Sequence, residues 1–332
     1  MNVHFGGPDQ PARALRNLLE ERVDAVPNGG SIDWMTYYFR DEALGEALVR
    51  ARKRGVKVRI CVEGHSRHRG ANDRMIGILG RGIGDGLRVE KHLFGASHLH
   101  SKLYCFSAPT PHALVGSFNP SGNEPEDAAV IADIGDQDRG HNLLVEVDEP
   151  LLVRAFTQRV AAIHAGANPF LALASPARST VGQAFFFPRR GRNPLDLHLM
   201  ELGPGAKLRV SASHLSDRRT AQLLVRIVER GGRVEVLTHH TLRRSPEALA
   251  QFLRLGGVEV HRYERPEQLP MHAKFILAED GVRRWCTFGS YNLSRTSRWL
   301  NQELLVFSDD AALWNALDRR WSEIMSEPWV KA

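Results

Sequence analysis

The sequence predicts an α/β fold built from two similar α/β/α halves, each with a mixed sheet, packed about a pseudo-twofold axis. Three observations carry that expectation. The chain repeats itself at an offset of 172 to 176 residues, TYYFRDEALGEALVRARKRGVKVRICV (36–62) aligning with ASHLSDRRTAQLLVRIVERGGRVEVLT (212–238). Within each copy, short runs of β-branched and aromatic residues alternate with segments of helical periodicity. Two like halves in one chain pack most economically about a twofold axis, which brings equivalent loops together.

In chain order, Val3–Phe5 reads as an opening strand and Leu15–Leu19 as a helix. Ile32–Tyr38 and Val56–Val62 are strand-like. Between them Glu42–Lys53 sets Leu44, Ala47 and Leu48 at helical spacing, with Asp41 where an N-cap belongs and Gly55 where the helix must stop. Ala184–Phe187 and Leu195–Leu199 repeat the opening, and Asp217 and Arg230-Gly231 repeat Asp41 and Arg54-Gly55. The stretch from His164 to Thr180 is rich in Ala, Pro and small residues, a linker composition. The expected division is therefore an N-terminal half, 1–165, a linker, 166–180, and a C-terminal half, 181–332. Trp34, Tyr37 and Tyr38 read as core residues of the first strand, and Phe185–Arg190 as an ordinary opening strand rather than a membrane-interface element.

A chain of 332 residues, 42% of them hydrophobic, can bury a substantial core. Its 44 basic against 38 acidic residues give a net charge of +6, which mildly favours polyanionic partners without choosing between anionic lipid and nucleic acid. Cys61, Cys105 and Cys286 are odd in number, far apart and set in apolar runs, which argues against a disulfide framework. Neither a signal-peptide pattern nor an apolar run of roughly 18 residues is present. The expectation is a cytoplasmic protein, at most peripheral at a membrane.

The chemistry-bearing residues lie inside the repeat. HSKLYCFSAPTPHALVGSFN, from His100, and HAKFILAEDGVRRWCTFGSYN, from His272, both carry His-x-Lys followed by Gly-Ser-x-Asn. Cleaving a phosphodiester requires a nucleophile, a proton for the leaving oxygen and positive charge around the non-bridging oxygens. His100 and His272 can divide the first two roles, since imidazole titrates near neutrality. Lys102 and Lys274 would supply the charge. Ser117, Asn119, Ser290 and Asn292 are candidate donors to the phosphate, with Gly116 and Gly289 permitting close approach. In a strand, His-x-Lys would present both side chains on one face. His65, His68, His92, His141, His239 and His240 read as structural or surface residues. His98-x-His100 lacks the Cys or carboxylate cluster that would complete a metal site, so no metal is expected.

These motifs resemble those of the phospholipase D superfamily, whose signature is His-x-Lys, four residues, Asp, then Gly-Ser-x-Asn. The similarity covers nearly the whole chain in two halves. It implies the phospholipase D fold, a complete active site within a monomer and no cofactor or metal. It also implies a ping-pong reaction, with one histidine attacking phosphorus and the other protonating the departing alcohol; His100 would be the nucleophile and His272 the acid. Full-length two-motif chains with Tyr-Tyr-Phe before the first helix resemble bacterial phospholipase D and cardiolipin synthase-like proteins. That implies hydrolysis or transfer of a phosphatidyl group, a phospholipid substrate and transient contact with a membrane surface. The alternatives are a nucleic-acid phosphodiesterase using the same two histidines, and a non-catalytic module that holds phosphate.

The signature is degenerate. Ser107 stands at the first aspartate position, and Glu279, followed by Asp280, at the second. The family's later carboxylate is matched by Glu303 in the second half, but Asn142 stands opposite it in the first. An ionised carboxylate favours the protonated imidazole, whereas an amide fixes a tautomer without adding charge. If each group serves its own half, Glu303 keeps His272 protonated and Asn142 leaves His100 neutral.

Overall fold

The computed structural model describes residues 1–91, 97–121, 128–136, 138–171 and 175–332. His92 and positions 172–174 of the expected linker lie outside the described residues. The first half runs β1 (Asn2–Gly6), α1 (Ala14–Ala25), β2 (Ser31–Thr36), α2 (Glu42–Lys53), β3 (Lys57–Glu63) and α3 (Asp73–Ile83). It continues through β4 (Leu87–Glu90), β5 (Leu103–Phe106), β6 (His112–Gly116), α4 (Ala128–Ile134), β7 (Asn142–Val147) and α5 (Pro150–His164). The second runs β8 (Ala177–Arg178), β9 (Gln183–Phe186), α6 (Pro194–Met200), β10 (Lys207–Ala212), α7 (Arg218–Glu229), β11 (Arg233–His239) and α8 (Glu247–Leu255). It ends with β12 (Glu259–Tyr263), β13 (Phe275–Glu279), β14 (Arg284–Gly289), α9 (Arg295–Trp299), β15 (Leu304–Ser308), α10 (Ala311–Met325) and β16 (Val330–Lys331). Residues 177–178, inside the expected linker, thus join the second sheet.

The two sheets have one topology. The first is ordered β1-β7-β6-β5-β2-β3-β4, and within the second β9-β15-β14-β13-β10-β11-β12 repeats it strand for strand, with β8 and β16 added at the edges. In each, the strands around the crossover helix are parallel, β2 with β3 and β10 with β11, while β5 and β13 run antiparallel to them. This is the mixed α/β sheet the repeat predicts.

Local chemistry explains why the helices begin and stop in the same places. Asp41 Oδ1 accepts Leu44 N–H at 2.8 Å and Asp217 Oδ2 accepts Thr220 N–H at 3.1 Å, each relieving an orphan donor of the first turn. Both caps also hold a buried arginine, Arg16 Nε on Asp41 and Arg298 Nε on Asp217, each at 3.0 Å. After α2 the chain turns through Gly55 at φ +89°, a left-handed conformation that disfavours side chains.

Among the described residues, three large buried clusters layer the molecule, beside a small fourth of Tyr37 and Tyr38. Two lie on the outer faces, one per half. The third joins the sheets, setting Met35, Leu103 and Val145 with Phe275, Phe288 and Val306, and taking in Phe156 of α5 and Leu317 of α10. Trp34 and Phe185–Phe187 are buried, as the core reading expects. Tyr37 and Tyr38 are buried as well, but lie just beyond the end of β2. All three cysteines are buried free thiols. Among the described residues, no helix is long and apolar enough to cross a membrane.

Candidate active site

Both His-x-Lys motifs lie in the irregular approach to a strand, not within one: Lys102 immediately precedes β5 and Lys274 immediately precedes β13. Backbone pairing across the two halves fixes them. His100 N–H donates to Gln302 O at 2.9 Å, and His272 N–H donates to His141 O at 3.0 Å. The residues that follow these acceptors are Glu303 and Asn142, so each histidine meets the orienting side chain of the other half.

That crossing corrects the expectation that each group serves its own half. His100 Nδ1 lies 3.0 Å from Glu303 Oε2, and His272 Nδ1 lies 2.8 Å from Asn142 Oδ1. Both oxygens are acceptors, so both rings carry their proton on Nδ1 and leave Nε2 for chemistry. Ser117 and Ser290 are corrected too. They are fully buried and do not face the phosphate site; Ser117 Oγ donates to Asn142 Oδ1 at 2.9 Å and Ser290 Oγ donates to Glu303 Oε2 at 2.5 Å. Glu303 Oε1 accepts further bonds from Ser297 Oγ at 2.7 Å and Asn301 Nδ2 at 3.3 Å. The serines therefore position the groups that position the histidines.

Gly116 and Gly289 also serve the sheets and not the substrate. A Cβ on Gly116 would collide with the carbonyl oxygen of Leu143, and one on Gly289 with that of Leu304. Glu279 is half-exposed and pairs with Lys207 at 3.6 Å, away from the site. Asp280 takes the backbone-bonding role, accepting from Gly203 N–H at 3.1 Å. In the first half Ser107 does the same job, its Oγ accepting Ser31 N–H at 2.7 Å.

The lysines curl under their own motifs, Lys102 Nζ donating to His100 O and Lys274 Nζ to His272 O, each at 2.6 Å. Their burial is nearly complete and shapes the electrostatics. Burial pulls Lys102 down to about 7, against the opposing pull of Glu303, and holds Lys274 well below the ordinary amine range with Lys102 beside it. Burial likewise brings His100 down to about 4, with Glu303 pulling upward and the two lysines downward. His272 sits well below the usual imidazole value, through burial and then Lys274, Lys102 and Arg244, with no carboxylate to offset them. Burial would raise the Glu303 carboxyl, but His100, Lys102 and Ser290 keep it below its ordinary value. The result is one anion, Glu303, among basic groups whose protonation burial suppresses, so that an entering phosphate would favour their taking up protons.

The histidines open onto a cleft of 1310 Å³ whose walls include Asn119 and Asn292. Asn119 Oδ1 is occupied by Tyr38 N–H at 3.3 Å. The Tyr37 ring lies tilted at 56° to that of His100, centroids 5.1 Å apart, and Lys102 Nζ lies 5.3 Å from the Tyr37 ring centre. Residues that sequence reasoning passed over also line the cleft: His214 and Arg244 from the second half, and His65, which reads in sequence as a surface residue. The signal for His214 was present in the repeat, where it falls opposite Tyr38.

Known proteins resemble the chain in family and in fold. A family model described as cardiolipin synthase, PLD-like domain, matches residues 28–128 and 204–325, together more than half of the chain. No curated protein matches the sequence. Among solved structures, phosphatidylserine synthase from Haemophilus influenzae Rd KW20 superposes with a TM-score of 0.70 at 12% identity, over 99% of this chain and 87% of that one. Polyphosphate kinase from Porphyromonas gingivalis superposes with a TM-score of 0.65 at 15% identity, over 98% of this chain. The chain spans 50% of the length of that kinase. At such identities the likeness is one of fold. Duplicated motifs, paired sheets and the family match lead to one conclusion: the chain belongs to the phospholipase D superfamily of phosphodiesterases and transferases.

Proposed function

We propose that the protein transfers or hydrolyses the phosphatidyl group of phospholipids through a phosphohistidine on His100, with His272 as general acid. The observation that carries the role assignment is the crossed pairing of Glu303 with His100 and Asn142 with His272. Catalysis depends on what changes between ground and transition state. When Nε2 of His100 attacks phosphorus, its ring gains positive charge, which Glu303 at Nδ1 neutralises. His272 loses positive charge as it protonates the leaving oxygen, and the uncharged Asn142 does not hold that proton back. The entering diester brings the negative charge that lets His272 carry its second proton first. Lys102, Lys274, Asn119 and Asn292 then face the non-bridging oxygens.

Two features support a lipid. The family description names cardiolipin synthase. Leu242, 61% exposed, is next in sequence to the cleft-lining Arg243, and Trp299, 55% exposed, lies two positions after the cleft-lining Ser297, so exposed apolar side chains occur near the rim, as contact with a membrane surface requires. A second reading, a nucleic-acid phosphodiesterase, is favoured by the lining itself: Arg67, Arg69, Lys91 and Arg243 face a single carboxylate, Asp73, among the described residues.

The test offers phospholipid vesicles, single- and double-stranded nucleic acid and bis(4-nitrophenyl) phosphate to the protein in EDTA, beside His100→Asn and His272→Asn. Repeated headgroup release from vesicles is expected, with no release from His100→Asn and at most one slow equivalent from His272→Asn. In His272→Asn a slowly resolved phosphatidyl adduct should map to His100 by mass spectrometry. Activity confined to nucleic acid sinks the lipid reading, and an adduct on His272 in the unsubstituted protein sinks the role assignment.

A further inference from the structure

Away from the histidines, at the other end of β2 and β5, the repeat matches two places of which only one is filled. Helix caps and strand registers fix the correspondence. Glu149 Oε2 accepts Leu152 N–H at 2.8 Å and Asp310 Oδ1 accepts Leu313 N–H at 2.9 Å, so α5 and α10 start in step. Val153, Thr157 and Arg159 therefore match Trp314, Asp318 and Arg320. The ladders that begin at Ser31 with Lys57 and at Lys207 with Arg233 match Asp33 with Arg209 and Arg59 with Glu235. Counting back from Gly116 and Gly289 matches Pro111 with Arg284.

In the second half the chain fills this place itself. Trp314 is buried in the core that joins the sheets, with the Arg284 guanidinium 4.6 Å from its ring centre. Arg209 pairs with two carboxylates, Glu235 at 3.7 Å and Asp318. In the first half the signs are exchanged but the set is incomplete. Asp33 pairs with Arg59, its one charged partner among the described residues, and the uncharged Thr157 stands where the second counter-charge would. Val153 and Pro111 replace indole and guanidinium. What remains is a cleft of 720 Å³, with Asp33, Cys105 and Phe106 as buried lining and Pro111, Val153 and Thr157 around them.

We infer that this cleft binds a small aromatic amine, a flat ring carrying an ammonium group on a short chain. The ring takes the place that Trp314 fills in the other half, against Pro111 and Val153, and the ammonium meets Asp33 on the side where Thr157 stands. One molecule can do both. Trp314 and Asp318 are a single helical turn apart, about 6 Å between their stems, which a two-carbon chain from ring to nitrogen spans. The other charged groups of the lining, Asp148 and Arg154, are exposed and opposite in sign, so the buried carboxylate sets the preference for a cation. This cleft shares no lining residue with the one that holds the histidines, and the inference is independent of the proposed reaction.

The experiment titrates tryptamine, indole and indole-3-propionate, which share one ring and differ in charge, into the full chain at pH 7 by calorimetry. Tryptamine should bind about tenfold tighter than indole, the worth of one charge-assisted hydrogen bond, and indole-3-propionate more weakly than indole. Val153→Trp with Pro111→Arg, which copies the second half into the first, should abolish binding of all three. Thr157→Lys, which supplies the cation from α5, should remove the preference for tryptamine and leave indole bound. Far-UV circular dichroism checks that these variants fold, and a measurement on the unsubstituted protein needs none of them: ring protons of bound tryptamine should show nuclear Overhauser contacts to the Val153 methyl groups. Equal affinity for tryptamine and indole, no binding at millimolar concentration, or contacts confined to residues of the histidine cleft overturns the site.

Discussion

Glu303 and Asn142 act on chemically identical rings in opposite senses, and the difference is worth measuring. Replacing the carboxylate by an isosteric amide, Glu303→Gln, keeps an acceptor at Nδ1 but removes the charge that offsets the ring on attack. A lost interaction of this kind in a water-poor site costs about 3 kcal/mol, so adduct formation in a single turnover should slow roughly 10²-fold. Asn142→Asp has the reverse character. It should help His272 hold its proton and so shift the alkaline limb of kcat upward, while slowing release to the leaving oxygen. For the free protein, kcat/KM should rise through about pH 4, where His100 becomes neutral and able to attack, and should fall further above about pH 7 as Lys102 loses its charge, in addition to the loss of the His272 proton, which burial and the neighbouring basic groups make weakly held. Lys102→Arg keeps a permanent cation. If its alkaline limb stays where it was, Lys102 is not the group responsible.

At the scale of elements, Gly116 shows how a motif residue can be conspicuous in sequence for a reason the sequence hides. Next to Ser117 it reads as a place where backbone nears a ligand, yet what approaches is β7, through Leu143 O. Gly116→Ala forces backbone apart in a fully buried sheet and should destabilise by about 2 kcal/mol in urea titration. Ser107→Ala, which strands Ser31 N–H, should cost about 1 kcal/mol with little loss of activity. The caps, the crossover helices and both His-x-Lys pairs were legible because each is set by residues within a few turns of chain. The crossed orienting pairs were not. His100 and Glu303 stand 203 positions apart, and His272 and Asn142 130 apart; backbone pairing of Gln302 with His100 and of His141 with His272 brings them together. Counting along a repeat aligns each orienting residue with its own half, and so predicts the wrong partner. The same counting names Glu279 where Asp280 does the bonding, since one position decides whether a side chain faces a turn or solvent.

The whole molecule concentrates buried basic groups where its halves meet, and its stability should record that. A fold that did no chemistry would gain by filling this place with apolar side chains, as it does in the shared core around Phe275 and Val145. Lys102 is the clearest case. Its folded value is about 7 against 10.5 when free, so between these pH values the unfolded chain holds a proton that the folded chain has released. Folding is then disfavoured progressively as pH falls from 10.5 towards 7, by about 1.4 kcal/mol per unit. His100, at about 4 against 6.5, acts in the same direction over a lower window, while Asp138, raised to about 7 chiefly by burial, opposes it there. Lys102→Met removes the upper effect and keeps the stem packing. It should abolish turnover and yet raise stability by several kcal/mol near pH 7, with the advantage over the unsubstituted protein shrinking steadily between pH 7 and 9.5. Denaturant titrations of the two proteins across that range measure the difference directly. A constant difference would mean that Lys102 keeps its proton in the folded state, and that the site accommodates its charge without cost.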